Sequence, residues 1–183
     1  MTNLKKALAA SGLMLIGLAV STACMAETKA AIDLGVSDAL KPFYANDPNR
    51  RHFAHEAAGV LVFPRITKGG AGIAGEYGEG VLQIHGKTVG YYSIGGGSVG
   101  LTLGAGQRSE VIMFMTQDSL EKFTHSKGWT VGADASVALV SEGAGADVDS
   151  NTVRKPIIGF VYDEKGLLGD LSFDGSKISR IQR

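Results

Sequence analysis

The order of patterns along this chain predicts an α+β fold. N-terminal helices should pack on a strongly twisted, mainly antiparallel, glycine-rich sheet or small barrel-like sheet. Three observations carry that prediction. Apolar spacing is helical near the start and strand-like afterwards, with one helical interruption near 117–127. Of 26 glycines, 15 fall between Gly59 and Gly106. The 44% hydrophobic and 20% charged content of the 183 residues suits an ordinary globular core.

Ile32, Val36, Leu40 and Phe43 form one apolar stripe and predict a helix over 27–46, weakened or kinked at Gly35 and Pro42. Asp47 and Pro48 restart a helix, as N-cap and first helical residue, and Gly59 supplies its stop. "GVLVFPRI" is a β-like run, and "GVLQIHGKTVGYYSI" reads as two strands around the turn His85-Gly86-Lys87. "SEVIMFMT" is a short strand buried on both faces. The next helix has Thr116 as N-cap and Gly128 as stop. "WTVGADASVALV" alternates again, and "SEGAGADVDSN" is a loop. From Lys155 to Ile181, strands are joined by the turns Glu164-Lys165-Gly166 and Asp174-Gly175. Regular βαβ alternation is absent, which argues for antiparallel pairing.

The G-x-G-x-x-G string at Gly95, Gly97 and Gly100 is no phosphate loop, because "LTLGAGQRSEVIMF" after it holds no helix whose amides could meet a phosphate. "HGKT" has Val81 where a P-loop needs its first glycine. The glycines instead strip one strand face of side chains. Val99, Leu101, Leu103 and Ala105 point one way, and Gly100, Thr102, Gly104 and Gly106 the other. Gly70, Gly72 and Ala74 repeat the pattern, as do Gly132, Asp134, Ser136 and Ala138. A bare face implies that another layer packs directly on the sheet, or that the sheet coils strongly.

Residues 1–26 read as an export signal: Lys5 and Lys6, the apolar run Ala7–Val20, then small residues. Cleavage after Ala26 would leave Glu27 first. Alternatively Cys24 is a lipidated cysteine, with Ala23 fitting a lipobox and Ser21 departing from it. Residues 27–183 form one domain in this reading, in the periplasm or anchored to the outer membrane. Cys24 is the only cysteine, so the domain has no disulfide.

Formal net charge is zero, and −2 once Lys5 and Lys6 are removed, which argues against nucleic acid as partner. Catalytic constellations are thin. His52, His55 and Glu56 share a helical face but lack further ligands for a metal. Asp147 and Asp149 lack the closing glutamate of a calcium loop. Asp134 reads as a hydrogen-bonded core acid. Neither an enzyme nor a cofactor is expected. An outer-membrane barrel would need aromatic girdles and outward apolar faces, which glycine-rich strands do not offer.

"KGGAGIAGEYGEGVL", "GYYSIGGGSVGLTLGAGQRSEVIMFMT", "DSLEKFTHSKGWTVGADASVALV" and "FVYDEKGLLGDLSFDGSKI", in that order and spacing, resemble a SYLF domain over about 54–181. The resemblance implies a non-catalytic, lipid-binding domain. Eukaryotic members bind phosphoinositides, and fungal ones also bind actin, often beside an SH3 domain. Here an export signal replaces those partners, so actin is not expected and anionic bacterial phospholipid is. Basic residues are the candidate contacts: Arg50 and Arg51 beside Phe53 in the second helix, and Arg65 and Lys68 flanking Gly69 and Gly70. Lys87 and Arg108 are placed in turns. The rival expectation is a structural or protein-interaction envelope lipoprotein with incidental lipid affinity.

Overall fold

The computed structural model describes residues 27–132, 134, 136–141, 154–166 and 176–183, with the backbone alone at 71–72, 98–103 and 141. Helix α1 (Lys29–Asn46) starts at the Thr28 cap, whose hydroxyl accepts from the Ala31 N–H, and it runs through Gly35 and Pro42 without ending. Its stripe of Ile32, Val36 and Phe43 is buried as the spacing requires. Helix α2 (Pro48–Glu56) has the expected Asp47 cap, which accepts from the Asn49 N–H at 2.9 Å. It stops at Ala57 rather than Gly59, because Gly59 already opens a strand.

The chief departure from the sequence reading is strand length. The separate strands and glycine segments fuse into β1 (Gly59–Ile84) and β2 (Lys87–Phe114), one long antiparallel hairpin. Its turn is His85-Gly86, both at positive φ (49° and 73°), and Lys87 begins β2. After Thr116-capped helix α3 (Gln117–His125), which ends at Ser126 and not Gly128, come β3 (Trp129–Thr130), β4 (Ala138–Ser141), β5 (Ile157–Gly166) and β6 (Lys177–Ile181). The alternation expected across 129–140 survives only at its two ends. Asp134 makes a turn between them: it is exposed, and its carboxylate accepts from the Thr130 N–H. It is therefore not a core acid. Glu164, Lys165 and Gly166 finish β5 instead of forming a separate turn, whereas Asp174-Gly175 and Asp147/Asp149 lie outside the described residues.

Strand order is β3-β6-β2-β5-β4, with β1 on the other edge of β2. All pairs are antiparallel except β4 with β5. This confirms the α+β class and the mainly antiparallel sheet. β2 is shared by two arms: β6 joins it over 91–95 and β5 over 106–114.

The sheet curls because β1 doubles back on itself. A straight strand would separate residues 65 and 78 by about 40 Å. Yet a Cβ placed on Gly78 would lie 2.6 Å from the Arg65 carbonyl oxygen and 2.8 Å from Ile66 Cγ1, and one on Gly80 only 2.7 Å from Phe63 Cδ1. At Gly78 and Gly80, then, the layer packed on the glycine side is the same strand, whereas of the runs singled out in the sequence 132–137 falls between β3 and β4 and the side chains of 71–72 and 98–103 lie outside the described residues. Register shifts between Phe63 and Ile66 and between Ala71 and Ile73 supply the bends. The first contains Pro64, which has no N–H for the ladder; its carbonyl accepts instead from the Ser109 hydroxyl at 2.8 Å. The glycines are not all alike: at Gly75, Gly95 and Gly97 an added Cβ would meet nothing closer than 3.6 Å.

Each face of the curl has its own core. The inner face gathers Leu61, Phe63, Ile66, Leu82, Ile94, Ile112 and Phe114 against Leu120 and Phe123 of α3 and against Trp129. Phe123 stacks on Phe114 at 4.7 Å and takes Trp129 edge-on at 5.6 Å. The outer face packs Val60, Val62, Val81, Val111, Ile158 and Phe160 beneath Ile32, Val36 and Phe43 of α1.

Candidate functional site

The expected lipid contacts divide by burial. Arg50 is only 7% exposed, with its guanidinium 4.8 Å from the Phe43 ring and 5.5 Å from that of Phe160, and it donates to the Phe43 carbonyl. Lys68 is likewise buried, at 6%. Neither presents its charge outward. Phe53 is half-buried and packs against the outer-face core. Gly69 and Gly70 are half-buried, and the bare side of Gly70 is occupied by the backbone of Ile73 and Ala74. Arg51 and Arg65 are exposed: Arg51 lies over the Tyr44 ring at 5.0 Å, and Arg65 is 3.8 Å from Glu27. Of the expected set, then, only these two cations face solvent, one on α2 and one on β1.

Arg108 is not in a turn. It sits in β2 on the inner face, 4% exposed, in a buried ion network. Its Nε donates to Glu110 Oε1 at 2.7 Å and its Nη2 to Glu76 Oε2 at 2.8 Å, while the Ser176 hydroxyl donates to Glu76 Oε1. Glu110 is fully buried, and its Oε2 accepts no hydrogen bond among the described residues. Burial pushes its carboxyl up to about 7, against the opposing pull of Arg108. A carboxyl raised in the folded state binds more protons there than in the unfolded chain. Its stabilising contribution is complete below the ordinary value of 4.5 and is lost as pH rises through about 7. Denaturant unfolding of the wild type should therefore show stability falling between those two pH values. Glu110→Gln should flatten that fall, and an unchanged slope would remove Glu110 as its source.

A second acid, Glu79, lies near the end of the hairpin. It accepts from the Tyr77 hydroxyl at 2.6 Å, from Arg183 Nε at 3.0 Å and from Arg183 Nη2. Burial raises its carboxyl, but the hydrogen bonds from Arg183 and Tyr77 and the charge of Arg183 outweigh that and hold it below the usual value. Nearby, residues 88–91 and 180–183 line a cleft of about 780 Å³. Sequence reasoning passed over this cleft. Arg180 and Arg183 belong to no motif, and Glu79 is 104 positions from the arginine that holds it.

Among the described residues no three His, Cys, Asp or Glu side chains converge as a metal site. His52 and Glu56 do approach, at 3.3 Å, on the exposed face of α2. No helix of the described residues is long and apolar enough to cross a membrane.

Residues 95–183 match the Ysc84 family model, described as Las17-binding protein actin regulator. This stretch is similar to a Ysc84 domain. This is the SYLF family that the glycine segments resemble, and the match begins inside β2 rather than near residue 54. The curated proteins gave no match. By its description, the Ysc84 family is one of binding proteins, and the match takes in part of β2, all of β5 and β6, and α3. Arg108, Glu110, Ser176, Arg180 and Arg183 all fall within the Ysc84 match, whereas Glu76, Glu79 and all seven lipid contacts expected from sequence fall outside it.

Proposed function

We propose that this protein is a non-catalytic, membrane-associated module of the bacterial cell envelope that recognises anionic phospholipid. Residues 1–26 direct export, and 27–183 act as one domain in the periplasm or on the outer membrane. The observation that carries this reading is a stretch similar to a Ysc84 domain in a chain whose first residues have the charge, apolar length and small-residue ending of an export signal. The curl suits surface recognition. Its inner face is filled by Leu61, Phe63, Ile66, Ile94, Ile112 and Phe114, each 0% exposed, so an acyl chain finds no room inside. A lipid would be held by its headgroup, with exposed cations such as Arg51 and Arg65 attracting an anionic surface at about 1 kcal/mol each.

The test uses protein recovered from an exporting bacterium. Intact mass distinguishes a diacylglyceryl Cys24 from a Glu27 terminus. The same protein should sediment with phosphatidylglycerol vesicles and much less with phosphatidylcholine vesicles, with salt weakening the binding. Equal sedimentation with both, or with neither, would refute recognition of anionic lipid. The family's description as Las17-binding supports a second reading, an envelope protein-interaction module with incidental lipid affinity. Protein that ignores both vesicle types yet retains one envelope protein through washing would favour it.

A further inference from the structure

The cleft beside the end of β6 combines three features that together suit one chemistry. First, β6 runs out before β2 does. Their pairing stops at Tyr91 with Ile181, so residues 88–90 of β2 reach past it, while Arg183 turns away to Glu79. A strand edge released in this way has backbone groups available to a ligand. Second, the guanidinium of Arg180 lies over Gly90. A Cβ there would be 3.1 Å from Tyr92 Cε2 and 3.6 Å from both Nε and Nη2 of Arg180, so the missing side chain lets the guanidinium settle against the strand at the cleft wall. Third, Val89 is 45% exposed in the same wall, beside the Thr88 hydroxyl.

The charges around the cleft can be counted. Arg183 is neutralised by Glu79. On the α1 side, Asp33 accepts from the Tyr91 hydroxyl at 3.0 Å and from Thr88 at 3.5 Å, and Lys29 stands over the Tyr91 ring at 5.8 Å. Arg180 has no acidic partner among the described residues, and it is exposed.

We propose that this cleft is a phosphodiester site that takes the glycerophosphate headgroup of an anionic phospholipid. Arg180 provides the planar, charge-assisted donor pair that matches phosphate oxygens. The edge of β2 at 88–90 that β6 leaves uncovered completes the polar wall, and Val89 meets the start of the apolar chains. The site rests on the lipid-binding reading but uses none of the residues in α2 or the first arm of β1.

The experiment compares wild type with Arg180→Gln and Arg180→Lys in the exported protein. Two probes are used: phosphatidylglycerol vesicles, and soluble glycerophosphoglycerol followed by amide NMR. Arg180→Gln should bind the vesicles about tenfold more weakly, the loss of roughly one charge-assisted contact, and Arg180→Lys should recover part of it. Glycerophosphoglycerol should shift the amides of 88–90 in wild type and not in Arg180→Gln. If Arg180→Gln binds vesicles like wild type and those amides stay still, the cleft is wrong while vesicle binding by wild type upholds the lipid reading. If wild type ignores vesicles yet the amides move, the phosphate site stands for a soluble ligand and its lipid assignment falls. If neither occurs, both fall.

Discussion

Gly80→Val should destabilise the protein by about 3 kcal/mol or more. A Cβ at this position collides with the Val62 carbonyl and comes within 2.7 Å of Phe63 Cδ1, so the two arms of β1 cannot keep their separation. Overpacking a close-packed core costs roughly 1–3 kcal/mol when side chains can yield. Here the obstacle includes backbone, which yields less. Gly97→Ala is the internal control: its nearest neighbour would be the Ala74 carbonyl at 3.7 Å, an ordinary contact. Urea unfolding of both variants decides the matter. Equal stabilities would mean that the glycines do not mark where the arms touch.

Arg108→Leu should cost about 3–5 kcal/mol, because it leaves Glu76 and Glu110 buried without their shared cation. The loss should shrink in acid, where the Glu110 carboxyl, raised to about 7 by burial, is neutral. Replacing Glu76, Arg108 and Glu110 together by Met should recover most of it, since an apolar set of similar size carries no uncompensated charge. Should the single and triple variants unfold at the same denaturant concentration, the network is not what Arg108 contributes.

Much of the local structure was legible in the sequence because its causes are local. The stripe of Ile32, Val36 and Phe43 fixed α1, Asp47 and Pro48 opened α2, and Thr116 capped α3. Close packing on glycine does occur, at Gly78 and Gly80, outside the alternating runs that the sequence singled out. The length of β1 and β2 was hidden, since glycine weakens the strand signal at the very bends that let a strand continue. The fate of individual charges was hidden for another reason. Arg50, Arg51, Arg65 and Lys68 look equivalent as letters, yet two are buried and two are not. What separates them is packing: Arg50 meets Phe160, far along the chain. The same holds for Glu76, whose partners Arg108 and Ser176 are 32 and 100 positions away. Arg180 carried no signal beyond its charge.

The place of β2 in the sheet also ties the residues that match the family model to the residues before them. The Ysc84 match opens at residue 95, partway along a strand that β1 accompanies from end to end. A fragment cut at that boundary leaves behind Leu61, Phe63, Ile66 and Leu82, none more than 1% exposed in the whole chain, and with them one complete side of the β2 ladder. It also leaves behind Glu76 and Glu79, so that Arg108 keeps one of its two carboxylates and Arg183 loses the one it has. The residues that match the family model and the strand that precedes them are therefore two walls of one curl, joined through a single ladder.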